Sequence, residues 1–133
     1  MRIVLDTNCL LVIIPKNSKY RKVYDYIRSG KISLLVNTEI LNEYEEQLSD
    51  FYSQSVAFNI VRQLLELPKT ELITVYYNWN LITSDPDDNK FVDSAISGNA
   101  ELIVTNDHHY KVLNKINFPK VNHLKLEEFC KTL

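Results

Sequence analysis

The chain contains few of the residues that interrupt or cross-link small proteins. Among its 133 residues there are two cysteines, two glycines and four prolines. Cys9 and Cys130 lie far apart and form no CxxC pattern, which is typical of reduced thiols in a cytosolic protein. So few glycines and prolines leave little room for flexible linkers. The length fits one domain over residues 1–133.

Long hydrophobic runs are also missing. No apolar stretch approaches the ~20 residues that a membrane-spanning helix needs. Asp6 interrupts the apolar run near the amino terminus, and no small-residue cleavage site follows, which argues against a signal peptide. We therefore expect a cytoplasmic protein without a membrane partner.

Positive charge is not in excess, since the net charge is −2 at pH 7. This value by itself argues against a nucleic-acid partner. The distribution of charge is uneven, however: residues 1–31 carry seven Lys/Arg and two acids, whereas residues 32–51 carry five acids and no base. Residues 85–107 carry six acids and one base, and residues 108–133 carry five lysines and two glutamates. The pattern permits a basic surface beside an acidic cleft, and hence a polyanionic substrate.

Apolar strand patterns alternate with helical patterns along the chain. Five segments predict strands: residues 2–6, 32–36, 72–75, 102–105 and 121–124. In the helix predicted after Ser53, the expected inward residues are Val56, Ile60, Val61, Leu64 and Leu65. Strands that alternate with helices predict a parallel sheet covered on both faces. The expected fold class is therefore α/β, a three-layer α/β/α sandwich with a central, mainly parallel sheet.

Acidic residues follow several of these elements. Asp6 ends the first predicted strand and Asp107 follows the fourth, while Glu43 and Asp88 lie at or near the start of helices. In an open α/β sheet, ligands bind at the carboxyl ends of the strands. Four acids at one edge would repel one another, and a bound divalent cation usually neutralises such a repulsion. The recurrence predicts a carboxylate metal site, and hence a nuclease.

Each acid also has a simpler structural interpretation. Asp6 is a good helix N-cap, and Asp107 fits an ordinary turn. From the residues alone, either Glu39 or Glu43 can reach the edge of the sheet. The position before the helix is crowded and stays open among Asp85, Asp87, Asp88 and Asp93.

Four segments, in sequence order, resemble the motifs of one family, the PIN domain, a small ribonuclease fold found in many bacterial toxin–antitoxin pairs. The segments are Asp6-Thr7-Asn8, Thr38-Glu39-Ile40-Leu41-Asn42-Glu43, Asp85-Pro86-Asp87-Asp88-Asn89-Lys90-Phe91 and Ile103-Val104-Thr105-Asn106-Asp107. The ending Leu126-Glu127-Glu128-Phe129 is similar to a PIN subgroup of VapC-like toxins. The resemblance spans nearly the whole chain.

The resemblance implies a metal-dependent endoribonuclease with one acid from each motif as catalytic residue and metal ligand. These acids are Asp6, Glu43, Asp88 and Asp107. The resemblance to the second motif favours Glu43 over Glu39 as the ligand. Asp88 is selected because it stands seven residues before Ala95, the usual spacing in the family. Asp93 stays open as an additional ligand.

Oxygen ligands without a paired His or Cys favour Mg²⁺ or Mn²⁺ over zinc. Such an ion activates water and stabilises charge on the phosphate during an in-line attack. Asn8 and Thr105 are expected to orient the carboxylates. The adjacent His108 and His109 are expected to be surface residues.

The substrate expected from the resemblance is RNA, and a small antitoxin protein and a homodimer are the expected protein assemblies. Candidate contacts to the RNA backbone are Arg21, Lys22, Lys111 and Lys115. Tyr76, Tyr77 and Trp79 could stack on bases. Aromatic residues before an irregular loop more often pack in the core or in a dimer seam, and we favour that interpretation here.

Three alternative functions remain. A degenerate PIN domain that only binds RNA or protein fits the same motifs, as does a housekeeping RNA-processing nuclease. A phospho-acceptor signalling domain also clusters acids at strand ends, but it needs adjacent acids after the first strand, where Asp6 stands alone. The presence of all four acids favours an active nuclease over a degenerate domain.

Overall fold

The computed structural model describes residues 1–133, in which five strands form one parallel sheet. The strands are β1 (Arg2–Leu5), β2 (Ser33–Val36), β3 (Glu71–Leu72), β4 (Leu102–Val104) and β5 (His123–Leu124). Their order in the sheet is β3-β2-β1-β4-β5, and every neighbouring pair is parallel. The expected α/β class with a parallel central sheet is confirmed.

Six α-helices and two 3-10 helices connect the strands. The α-helices are α1 (Thr7–Ile13), α2 (Arg21–Arg28), α3 (Thr38–Phe51), α4 (Gln54–Glu66), α5 (Asn89–Ser97) and α6 (Leu126–Lys131). The 3-10 helices are Pro86–Asp88 and His108–Lys115. None of these helices is long and apolar enough to cross a membrane.

The strand order accounts for the three layers. The chain moves from β1 to β2 to β3 in one direction, so α1 to α4 lie on one face, because crossovers between parallel strands are right-handed. The step from β3 back to β4 reverses the direction and places α5 on the other face. There α5 packs against β1, β2 and β4.

The central strand β1 places Asp6 at the middle of the carboxyl edge of the sheet. Its residues Ile3, Val4 and Leu5 are fully buried, and each such side chain stabilises the fold by about 1.5–3 kcal/mol. Leu5 pairs with Val104 of β4. The backbone N–H of Asp6 continues this pairing by donating to the Val104 carbonyl at 3.0 Å. Asp6 is therefore fixed at the carboxyl end of the most buried part of the sheet.

Gly98 sets how closely α5 approaches the sheet. It follows the last residue of α5, and its N–H donates to the Ser94 carbonyl at 2.9 Å. A Cβ atom at this position would lie 2.5 Å from Cδ2 of Leu35 and 2.9 Å from Cδ1 of Ile73. Only glycine allows this approach without a shift of the neighbouring side chains.

The periphery differs from the sequence prediction in two elements. In α4, Leu64 is fully buried as expected, but Leu65 is 47% exposed and Ala57 takes an inward place instead. Strand β3 has only two residues, and Leu72 is 68% exposed. Strand β3 is at the edge of the sheet and α4 packs mainly against α3, so one side of each faces solvent and the apolar pattern overstates their burial.

Candidate metal centre

Asp6 is held at the end of β1 by a residue from β4. The hydroxyl of Thr105 donates to Oδ2 of Asp6 at 2.7 Å, and both side chains are buried. Although Asp6 stands at the N-cap position of α1, its side chain makes no capping hydrogen bond. Burial raises the pKa of Asp6, the Thr105 hydrogen bond opposes this, and repulsion from Glu43 and Asp107 adds to it. The carboxyl group of Asp6 thus faces other acids and not the helix end.

Glu43 comes from the first half of α3 and is held by two partners. The hydroxyl of Thr7 donates to Oε2 of Glu43, and Nζ of Lys90 lies 2.9 Å from Oε1. Helix α3 begins at its N-cap Asn37, whose side chain accepts from the Ile40 N–H. This start positions Glu43 beside α1 and α5.

Asp88 lies at the join of a 3-10 helix and α5, with a side chain that caps neither. It is 7% exposed, and its Oδ2 atom is buried without a hydrogen-bond partner. Burial is the largest cause that raises the pKa of Asp88 to about 7. Repulsion comes from three neighbouring carboxylates, those of Asp6, Asp85 and Asp107. A carboxyl group in this environment is poised to gain either a proton or a cation.

Asp107 follows β4 and begins the second 3-10 helix. Its N–H donates to Oγ1 of Thr105 at 3.0 Å, and its Oδ1 accepts from the N–H of His109 at 2.9 Å. Thr105 therefore connects two acids, because the same hydroxyl donates to Asp6. Asp107 does form a local turn, as its sequence context suggested. The same turn also directs its carboxylate toward the other acids.

The four predicted acids line one cavity of about 200 Å³, called here the acidic cleft. No hydrophobic residue lines it. The lining residues are Asp6, Thr7, Asn8, Glu43, Gln47, Asp85, Asp87, Asp88 and Asp107. The structure therefore brings together the acids of four separate segments of the chain.

Two of the open candidates lie elsewhere. Asp93 and Glu39 line a second cavity, of about 440 Å³, together with Lys90. Asp93 is 4% exposed and accepts a hydrogen bond from the Trp79 N–H at 3.1 Å. The structure thus separates Asp93 from the acidic cleft and gives it a local role in holding the loop that precedes α5.

Of the two residues expected to orient the carboxylates, Thr105 does so directly. Asn8 lines the cleft but makes no side-chain hydrogen bond to the four acids, and its orienting role stays a prediction. Thr7 holds Glu43 instead. The hydroxyl of Thr7 was not distinguished in the sequence, because a threonine in the first turn of a helix commonly points to solvent or to the backbone.

The prediction that His108 and His109 are surface residues is confirmed for His108 and wrong for His109. His108 has a 79% exposed side chain, whereas the ring of His109 is 28% exposed and faces the acids. Nδ1 of His109 lies 2.8 Å from Oδ1 of Asp107 and 3.7 Å from Oδ2 of Asp88. Adjacent side chains do point in different directions, but only the turn after β4 decides which of them points inward.

The four acids of the cleft all affect the pKa of one buried tyrosine, Tyr110. Tyr110 is fully buried, and its hydroxyl has no hydrogen-bond partner. Burial raises the pKa of Tyr110, and the same four acids contribute in the order Asp6, Asp88, Asp107 and Glu43. Tyr110 therefore stays protonated beside the acidic cleft.

The donor set of the acidic cleft fits a hard divalent cation. A buried carboxylate oxygen without a partner is costly, and the free Oδ2 of Asp88 is such an atom. Ligand atoms of Asp85, Asp88, Asp107 and His109 all lie within 4.8 Å of one another. Asp6 and Glu43 line the same cleft outside this tightest cluster. Carboxylate oxygens at such spacing are typical ligands of Mg²⁺ or Mn²⁺.

Comparisons with known proteins bear on the fold and the family of the chain. A crystal structure of VapBC2 from Rickettsia felis, bound to a DNA fragment from their promoter, is similar in fold, with a TM-score of 0.60. The sequences are 20% identical, and the match covers 94% of this chain and 98% of that one. No curated protein matches the sequence. The family model described as PIN domain matches residues 2–109. The chain therefore belongs to the PIN domain family, whose members are generally nucleases.

Proposed function

We propose that this protein is a metal-dependent endoribonuclease that hydrolyses phosphodiester bonds of RNA, with Asp6, Glu43, Asp88 and Asp107 as the acids of its centre. The observation that carries the proposal is their convergence on one polar cleft, in which a buried oxygen of Asp88 lacks a partner. Membership of the PIN domain family supports hydrolysis of nucleic acid as the reaction class.

The acids differ in what surrounds them, and this suggests their roles. Asp88 and Asp107 would hold Mg²⁺ or Mn²⁺ from two sides, and Asp6 would complete the site, kept in place by Thr105. Glu43, already paired with Lys90, is suited to accept a hydrogen bond from a water or a ribose hydroxyl. A bound ion supplies Lewis acidity that activates water and stabilises charge on the phosphate.

The four basic residues predicted to contact RNA differ in their availability. Arg21 is engaged by Asp25, with Nε 3.0 Å from Oδ1, and Lys22 donates to the Leu133 carbonyl. Lys111 and Lys115 are exposed on the 3-10 helix that starts at the cleft. These two lysines are therefore the better candidates for contact with the RNA backbone.

Cleavage of single-stranded RNA in the presence of Mn²⁺ tests the proposal. Wild-type protein should cleave, and EDTA should stop the reaction. Asp6→Asn, Glu43→Gln and Asp88→Asn should each reduce the rate by at least about a hundredfold, in line with loss of a metal ligand or its support. Asp93→Asn is the matched control, because it neutralises a buried acid outside the cleft. Full activity of Asp88→Asn, or activity that persists in EDTA, would overturn the proposal.

We further propose that the protein, as a single domain over residues 1–133, acts in the cytoplasm as the toxin of a toxin–antitoxin pair. This rests on the resemblance to VapC-like toxins and on the fold shared with the VapBC2 structure. A small antitoxin would then bind at the acidic cleft, most simply by inserting an Arg or Lys side chain. Association into homodimers is part of the same proposal.

Inducible expression in a bacterial host tests the toxin role. Wild-type protein should arrest growth, Asp6→Asn should not, and co-expression of an antitoxin, sought as a small gene next to the one for this chain, should restore growth. Normal growth in the presence of soluble protein that cleaves RNA would favour a housekeeping RNA-processing nuclease instead.

A further inference from the structure

We propose that His109 is a further ligand of the metal centre and that its Nδ1 atom gives this centre a preference for Mn²⁺ over Mg²⁺. The inference rests on the proposed metal-dependent function and deepens it by naming a ligand and a metal class. It concerns a residue that none of the four family-like motifs contains.

The distances around His109 match those around one ion. Nδ1 lies 2.8 Å from Oδ1 of Asp107 and 3.7 Å from Oδ2 of both Asp85 and Asp88. One ligand atom from each of these four residues lies within 4.8 Å of the other three. Octahedral ligands at about 2.1 Å from a metal are separated by about 3.0 Å when adjacent and about 4.2 Å when opposite. The cluster therefore needs only small side-chain adjustments to surround a cation.

The contacts of His109 are not those of an ordinary ion pair. Its Nδ1 atom is buried and makes no hydrogen bond, although Oδ1 of Asp107 is only 2.8 Å away. The oxygen therefore lies outside the direction in which the ring nitrogen donates. Oδ2 of Asp88, which is also buried and unpartnered, lies in the same cluster. Nδ1 of His109 and Oδ2 of Asp88 are therefore two ligand atoms without partners, and one cation could bind both of them.

The backbone explains why this histidine, and not its neighbour, points inward. Asp107 accepts a hydrogen bond from the N–H of His109, which fixes the first turn of the 3-10 helix. The same turn leaves His108 exposed, with its Nδ1 3.8 Å from Oδ1 of Asp107. Because Thr105 anchors Asp107, His109 is attached to the same support as Asp6.

A nitrogen donor changes the metal preference. Mg²⁺ favours oxygen ligands and gives up its water reluctantly. Mn²⁺ also binds carboxylates, and transition-metal ions accept imidazole. A site with three carboxylates and one imidazole should therefore bind Mn²⁺ more tightly than a site with carboxylates alone, whereas Mg²⁺ should gain little from the ring.

Pulsed electron paramagnetic resonance of bound Mn²⁺ tests the ligand directly, without an activity assay. The wild type should show coupling of the manganese to a ¹⁴N nucleus. His109→Ala and His109→Asn should lose this coupling, and His108→Ala should keep it. In calorimetric titrations, His109→Ala should bind Mn²⁺ about tenfold or more weakly and Mg²⁺ within about twofold of the wild type.

The outcomes separate this inference from the proposed function. If Mn²⁺ binds and RNA is cleaved but no nitrogen coupling is seen, or if the coupling survives in both His109 variants, His109 is not a ligand while the nuclease stands. If the wild type binds neither Mn²⁺ nor Mg²⁺, both proposals are overturned.

Discussion

Nζ of Lys90 lies 2.9 Å from Oε1 of Glu43, so one of the four acids is paired with a cation from the same chain. The side chain of Lys90 is only 12% exposed, and it also donates to the Asp87 carbonyl at 2.7 Å. The pair therefore connects the acidic cleft, which Glu43 lines, to the second cavity, which Lys90 lines. It offsets charge on Glu43 and leaves the three aspartates as the main attraction for a metal ion.

Removal of this cation should strengthen metal binding. We expect Lys90→Met to lower the Kd for Mn²⁺ about threefold to tenfold, because a unit charge near the cleft contributes on the order of 1 kcal/mol. Calorimetric titration at moderate salt measures the effect. Lys131→Met, which removes an exposed lysine paired with Glu127 on α6, is the control and should change nothing. Weaker binding in Lys90→Met would show that Lys90 positions the ligands more than it repels the ion.

Neutralisation of Asp6 should stabilise the metal-free protein. Burial raises the pKa of Asp6, so its ionised form destabilises the folded state at neutral pH. Asp6→Asn keeps an oxygen that accepts from Thr105, and we expect its Tm in EDTA to rise by roughly 1–4 °C. Thermal circular dichroism measures this. A large fall in Tm would instead assign Asp6 a structural role.

The stability of the metal-free protein should fall between about pH 4 and pH 7. The pKa of Asp88 is about 7 in the folded state against an ordinary 3.8, so in this window the folded state holds a proton that the unfolded chain has lost. Ionisation of Asp88 then lowers the free energy of unfolding as the pH rises. In EDTA, the Tm advantage of Asp88→Asn over wild type should grow from near zero at pH 4 to roughly 3–8 °C at pH 8. Asp87→Asn, at an exposed neighbour, should follow the wild-type profile, and parallel profiles for wild type and Asp88→Asn would contradict the prediction.

Gly98→Ala should destabilise the fold. The added methyl group would lie 2.5 Å from Leu35 and 2.9 Å from Ile73, and overpacking of this kind costs about 1–3 kcal/mol. The Tm should fall by roughly 3–12 °C. Ser97→Ala, at an exposed position one residue earlier, should leave the Tm within about 2 °C of wild type. An unchanged Tm in Gly98→Ala would mean that the side chains of Leu35 and Ile73, or α5 itself, can shift at little cost.

The parallel sheet could be predicted because its central strands are continuous apolar runs. Ile3, Val4 and Leu5 are consecutive, and no polar residue alternates with them to suggest an exposed face. The positions of Asp6 and Asp107 at the edge of the sheet could likewise be predicted, because Asp6 directly follows one buried strand and Asp107 closely follows another. Glu43 could not be separated from Glu39 by periodicity, and only the family-like motif made that choice.

Other features depend on tertiary contacts that no local pattern contains. The 3-10 helix His108–Lys115 was missed, because its turn is fixed by the side chain of Asp107 and not by apolar spacing. The core interpretation of the loop aromatics is wrong for Tyr76 and Tyr77, which are 89% and 62% exposed. Their place in a dimer seam stays a prediction.

The strand order makes the acidic cleft a late product of translation. Central strand β1 is made first, yet its neighbour β4 and the residues that hold Asp6 in place come about 100 residues later. At about 5–20 residues per second, the ribosome needs roughly 5–20 s to cover that interval. During this time the nascent chain has Asp6 but neither Thr105 nor Asp107 to complete the centre. The proposed nuclease therefore lacks two residues of its centre until the segment that contains them has been made.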